Sequence, residues 1–187
     1  MNQTQNITVP HSKTYDITMT ALMAAVTCIL APLSIPIGPV PISFTNLAIY
    51  LSLYLLGWKK GTVSYLIYLL MGFVGLPVFS GFTGGPAKLA GPTGGYIIGF
   101  IFSALVMWAI EHVFGRKPVV QIISMVVGLI VCYAFGTAWF MFAYTRSTGP
   151  VGLMAVLGWC VFPFIIPDLI KIALAYVLSR KLRKYVA

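Results

Sequence analysis

GFVGLPVFSGFTGGPAKLAGPTGGY, residues 72–96, interrupts a chain that is otherwise almost continuously apolar. Eight of the 18 glycines fall between positions 72 and 95. Glycine is needed where a backbone takes φ > 0 or comes within contact of another group. Pro77, Pro86 and Pro92 divide the stretch and argue against a regular helix across it. Leu76, Phe79, Phe82 and Leu89 alternate with these breakers, so the segment reads as a loop packed against something, the lid and wall of a ligand site, rather than a solvated linker. Irregular backbone beside membrane helices is tolerated mainly where it lines a cavity. Its candidate ligand contacts are Phe79, Lys88, Gly91, Thr93, Gly94, Gly95 and Tyr96.

The rest of the composition places that loop in a membrane protein. Of 187 residues, 59% are hydrophobic and 8% charged, against about 25% charged in a soluble domain, and the mean hydropathy is +0.96. At about 20 residues per spanning helix the length predicts an all-α bundle of six transmembrane helices forming one domain over 1–187. The first 15 residues are polar, so no cleavable signal peptide is expected, and 1–14 reads as a cytoplasmic tail. The net charge of +9 comes from short clusters between apolar runs, the pattern that orients a membrane protein, so no nucleic-acid partner is expected. Cys28, Cys132 and Cys160 lack metal-ligand spacing and read as small buried hydrophobes.

Apolar runs and breakers predict spans at about 15–33, 42–56, 61–76, 93–111, 118–141 and 164–182. A short or re-entrant helix is expected near 154–162, and a non-helical turn over 34–41, SIPIGPVP. With six spans both termini share one side, which then holds nine of the 12 basic residues, including Lys59, Lys60, Arg116 and Lys117. That asymmetry puts the termini in the cytoplasm and the Gly/Pro-rich loop after the third span outside. Within the first span Ala21 and Ala25 form a small-xxx-small pair, a mark of close helix packing inside the bundle or against a partner.

Chemistry is scarce. Asp16 and Glu111 sit at span ends, whereas Asp168 lies one turn inside the last span, with Lys171 on the same face at i, i+3. An ionisable residue at membrane depth is costly and marks a functional site by default; a structural ion pair is the competing reading. Asn46, near the start of the second span, caps the helix or offers an amide to a ligand. No acid–base pair, nucleophile with a neighbouring base, or phosphate-loop order is present, so no enzyme and no cofactor are expected.

GLPVFSGF (75–82), GGPAKLAGPTGGYIIGF (84–100) and FPFIIPDLIK (162–171) resemble the signatures of the BioY family, the biotin-specific substrate-binding S components of energy-coupling-factor (ECF) transporters. The resemblance covers nearly the whole chain, including the A-x-x-x-A pair. It implies a biotin-binding subunit of a bacterial cell membrane, working with a transmembrane coupling protein that docks at Ala21 and Ala25 and with two ATPase subunits. On that reading Asp168 and Asn46 meet the ureido ring, and Phe79, Tyr96, Tyr133 or Trp139 meet the thiophane ring and valeryl chain. Lys88 or Lys171 meets the carboxylate. The alternatives are an S component for another small vitamin and a self-sufficient small-solute carrier.

Overall fold

The computed structural model describes residues 12–186, so most of the expected tail at 1–14 lies outside the described residues. Helix α1, Lys13–Leu30, is opened by Ser12, whose hydroxyl accepts the Tyr15 amide at 3.2 Å, and carries Asp16 in its first turn. The hydroxyl satisfies one free amide of the helix start, and the carboxylate places a negative charge near the positive end of the helix dipole. The proline-rich segment that follows turns back on itself as an antiparallel pair, β1 (Ser34–Ile35) and β2 (Ile42–Ser43). Helix α2, Thr45–Leu56, passes directly into α3, Trp58–Phe73, through Gly57 at φ 80°, a reversal made by one residue.

The Gly/Pro stretch contains a short helix, α4 (Pro86–Ala90). This departs from the helix-free loop expected there: Pro86 occupies the first turn, where its missing N–H has no helical partner to lose. Then come α5 (Gly94–Phe114), α6 (Pro118–Ser147), α7 (Leu153–Cys160) and α8 (Phe162–Val186). The last begins earlier than expected and runs through Pro167. That proline lies close enough to the helix start to forfeit only the bond to the Pro163 carbonyl. Helices fall on all six segments marked by hydropathy. Among the described residues, three runs are long and apolar enough to cross a membrane, Gly94–Phe114, Pro118–Ser147 and Leu153–Lys184, and α2 is a shorter apolar helix.

The helices alternate in direction. Asp16 of α1 pairs with Lys60 of α3, Trp58 stacks on Trp108 of α5 at 4.7 Å, and the Tyr54 hydroxyl donates to the Gln121 carbonyl of α6 at 3.0 Å. These contacts gather one end of the bundle. At the other end lie the hairpin, the Gly/Pro stretch and α7.

Helices α5 and α6 form the most extensive helix–helix contact. Its seam is built on missing side chains: a Cβ on Gly95 would overlap Trp139, and one on Gly136 would overlap the Tyr96 ring. Just before the seam, a Cβ on Gly94 would overlap the Leu89 carbonyl oxygen. Lipid supplies no hydrophobic drive between helices, so such close approach is what holds them. Alanine at Gly94 or Gly95 is therefore expected to destabilise the protein by about 1–3 kcal/mol, the cost of overpacking, read as a lowered Tm in detergent. Two variants melting with the parent would show a seam loose enough to accept a methyl group.

Candidate functional site

At the hairpin end, α2, α5, α6 and α8 enclose a chamber of about 670 Å³ counting its open mouth. Its polar centre is on α8. Asp168 and Lys171 are each only 5% exposed, and their side chains meet at 2.9 Å. The Tyr133 hydroxyl of α6 donates to the other carboxylate oxygen at 2.6 Å. A carboxylate offers about four acceptor positions, so acceptor capacity remains on a group whose orientation is already fixed.

Asn46 of α2 stands in the same chamber, its side-chain oxygen accepting the Leu47 amide at 3.1 Å. Thr45 and Ser43 join hydroxyls beside it at 2.9 Å. From α5 comes Tyr96, seated over Gly136 and hydrogen-bonded through its hydroxyl to Thr137 at 3.1 Å. Lys88 and Thr93 reach the chamber from the Gly/Pro stretch. Among the described residues Lys88 is in no ion pair, and partial burial lowers its pKa from the ordinary lysine value. The chamber is thus an apolar space with a braced carboxylate inside and a separate cation in its wall. That combination suits a ligand with hydrogen-bond donors at one end and a negative charge at the other.

Seven of the sequence-derived candidates share this chamber: Asn46, Lys88, Thr93, Tyr96, Tyr133, Asp168 and Lys171. Five do not line it. Phe79 is fully buried in the core, edge-on to Tyr68 at 5.5 Å, and pins the loop to the end of α3. Trp139 lies in the α5–α6 seam and donates its indole N–H to the Gly91 carbonyl at 3.0 Å. Gly91, Gly94 and Gly95 therefore shape the wall through this clamp and the close contacts of the seam.

Sequence reasoning passed over Phe100, Leu129 and Phe164, all of which line the chamber. Helical phase would have found them, since they lie four residues from Tyr96, Tyr133 and Asp168, respectively. Cys132 and Cys160 also line it, as buried apolar wall. Tyr50, one turn from Asn46, is fully buried, lies within electrostatic reach of Asp168 and has no hydrogen-bond partner for its hydroxyl among the described residues. No sequence signal marks such an orphan. An unpaired buried hydroxyl costs about 1–3 kcal/mol. Tyr50→Phe is accordingly expected to leave Tm unchanged or raise it by a few degrees. A clear fall would mean that the hydroxyl holds a buried water.

Comparison with known proteins bears on what this chamber takes. The model of the BioY family matches residues 1–187. The chain is 37% identical over 171 residues to the probable biotin transporter BioY of Pyrococcus horikoshii, covering 91% of this chain and 98% of that one. It is 36% identical over 167 residues to the biotin transporter BioY of Thermotoga maritima, covering 87% and 92%. The crystal structure of the S-component for biotin from an ECF-type ABC transporter superposes with a TM-score of 0.82 at 33% identity, over 92% of each chain.

Proposed function

The chain belongs to the BioY family, and from that premise we propose that it is the high-affinity biotin-binding subunit of a vitamin uptake transporter. It is a membrane transport component and not an enzyme. The observation that carries the ligand is the braced carboxylate facing an apolar chamber with a second cation in its wall. Asp168, fixed by Lys171 and Tyr133, accepts from a ureido N–H, and Asn46 supplies the complementary amide. Tyr96 and Tyr133 flank the rings. Lys88 meets the valeryl carboxylate, because Lys171 is already committed to Asp168. Phe79, Trp139, Gly91, Gly94 and Gly95 act on the ligand through the loop and seam they hold in place. The chain forms one membrane domain of six spans with both termini cytoplasmic, and 72–96 is the extracellular, ligand-proximal loop. Nine of the 12 cations favour that orientation.

Transport on this reading needs an energy-coupling module, a transmembrane coupling protein with two ATPase subunits. The docking face is on α1, where Ala21 and Ala25 are exposed on the isolated chain while the neighbouring Ala24 is buried. Exposed small residues four apart offer a partner helix the close backbone approach that association in lipid requires. Tryptophan at Ala21 or Ala25 should leave biotin affinity and Tm unchanged and sharply reduce co-purification with the coupling protein. Loss of affinity together with recovery would place both alanines in the bundle's own packing.

The ligand assignment has its own test. Asp168→Asn leaves Lys171 unpaired and buried, which costs stability in its own right, so the single variant cannot separate folding from binding. The double variant Asp168→Asn with Lys171→Met removes both charges. We expect it to recover Tm while biotin affinity stays at least about tenfold down, the loss of a charge-assisted hydrogen bond. A stable double variant binding biotin like the parent would exclude Asp168 as a ligand contact.

A further inference from the structure

A second cavity lies at the opposite end of the bundle from the chamber, about 570 Å³ counting its open mouth, between the ends of α1, α2, α3 and α8 and the turn before α6. Three cations converge on it from different elements: Lys60, Arg116 and Arg183. Lys60 is paired with Asp16, and Arg116 is held through Nε by Glu111 at 3.3 Å, with a terminal nitrogen over Gly57. Arg183 is exposed and forms no ion pair with the described residues. The groove therefore carries one uncompensated positive charge beside two cations that keep free N–H donors. Beside these polar groups its wall carries the apolar side chains of Met19 and Leu56.

A bias of cations to one side of a membrane is satisfied by charges anywhere in the loops. It does not gather three of them, from separate elements, around one groove at the ends of spanning helices. We propose that this groove binds the headgroup of an anionic phospholipid, a singly charged phosphodiester such as phosphatidylglycerol, with the phosphate against Arg183, Arg116 and Lys60 and the glycerol and upper acyl chain on Met19 and Leu56. The net charges match, donors outnumber the phosphate's free oxygens, and a basic pocket between helix ends is a recurrent lipid headgroup site.

The test is native mass spectrometry of the full chain released from nanodiscs containing equal parts phosphatidylglycerol and phosphatidylcholine, with biotin binding measured in parallel. The parent should retain phosphatidylglycerol preferentially. Arg183→Gln should lower that preference about fivefold, the factor expected for one cation near a phosphate surface, and Arg183→Glu should abolish it. Lys181→Gln and Lys181→Glu, with the same charge changes two residues away and outside the groove, should do neither, and biotin binding should be unchanged in all four. The proposal fails if the parent shows no preference, or if the Lys181 and Arg183 variants behave alike, which would make the attraction a diffuse surface charge. It also fails if millimolar inorganic phosphate removes the bound lipid at the parent's groove, which would make this a site for a free anion.

Discussion

The chamber depends on one buried ion pair. Moving a carboxylate or an ammonium out of water costs several kcal/mol per ion even after relaxation, and only close pairing with further hydrogen bonds offsets it. Asp168 and Lys171 meet that condition cheaply because they lie three residues apart on one helix, so the fold brings no separate elements together to pair them. Tyr133 then ties the pair to α6. The result is a carboxyl group that holds its orientation in a low-dielectric setting, where a hydrogen bond to it is stronger than in water.

Orientation of the aromatic wall follows from absent side chains. Tyr96 reaches the chamber because its ring rests over Gly136, and Trp139 clears it because its ring rests over Gly95. The two contacts are reciprocal across α5 and α6, each helix giving a small residue to the other's aromatic. Since the hydroxyl of Tyr96 is held by Thr137 and the indole of Trp139 by Gly91, neither ring can turn without losing a bond. The glycines of 94–95 thus shape the chamber wall at one remove, by setting how closely the two helices meet.

What the sequence made legible was whatever membrane energetics forces into it. Apolar runs and breakers located the helices, and the cost of burying charge singled out Asp168 and Lys171 as a pair on one face. Facing direction was less legible. Tyr133 and Trp139 were both candidates because both are aromatic, yet six residues of helix leave them about 120° apart around its axis, and only Tyr133 faces the chamber. Phe79 sits in backbone without a period, so nothing local says whether its ring points to a ligand or into the core. Proline was overread as a breaker at Pro86, where position within the first turn decides its cost. The orphan hydroxyl of Tyr50 has no sequence signature, because being unpaired depends on every neighbour at once.

The depth of the chamber has a simple geometric source in α2. Its 12 residues make a helix about 18 Å long, well short of the roughly 30 Å hydrocarbon thickness of a bilayer. At the opposite end α2 is fixed by the Tyr54 bond to α6 and by the one-residue turn into α3, so the shortfall falls entirely on the chamber side. The hairpin and the Gly/Pro stretch fill that missing length with irregular backbone, which membrane depth allows only where it lines a cavity or packs on protein. Asn46, in the first turn of the short helix, thereby lines the same chamber as Asp168, which itself lies in the second turn of α8. A longer α2 would lift the amide out of reach of the carboxylate and leave no space between them for a ligand to occupy.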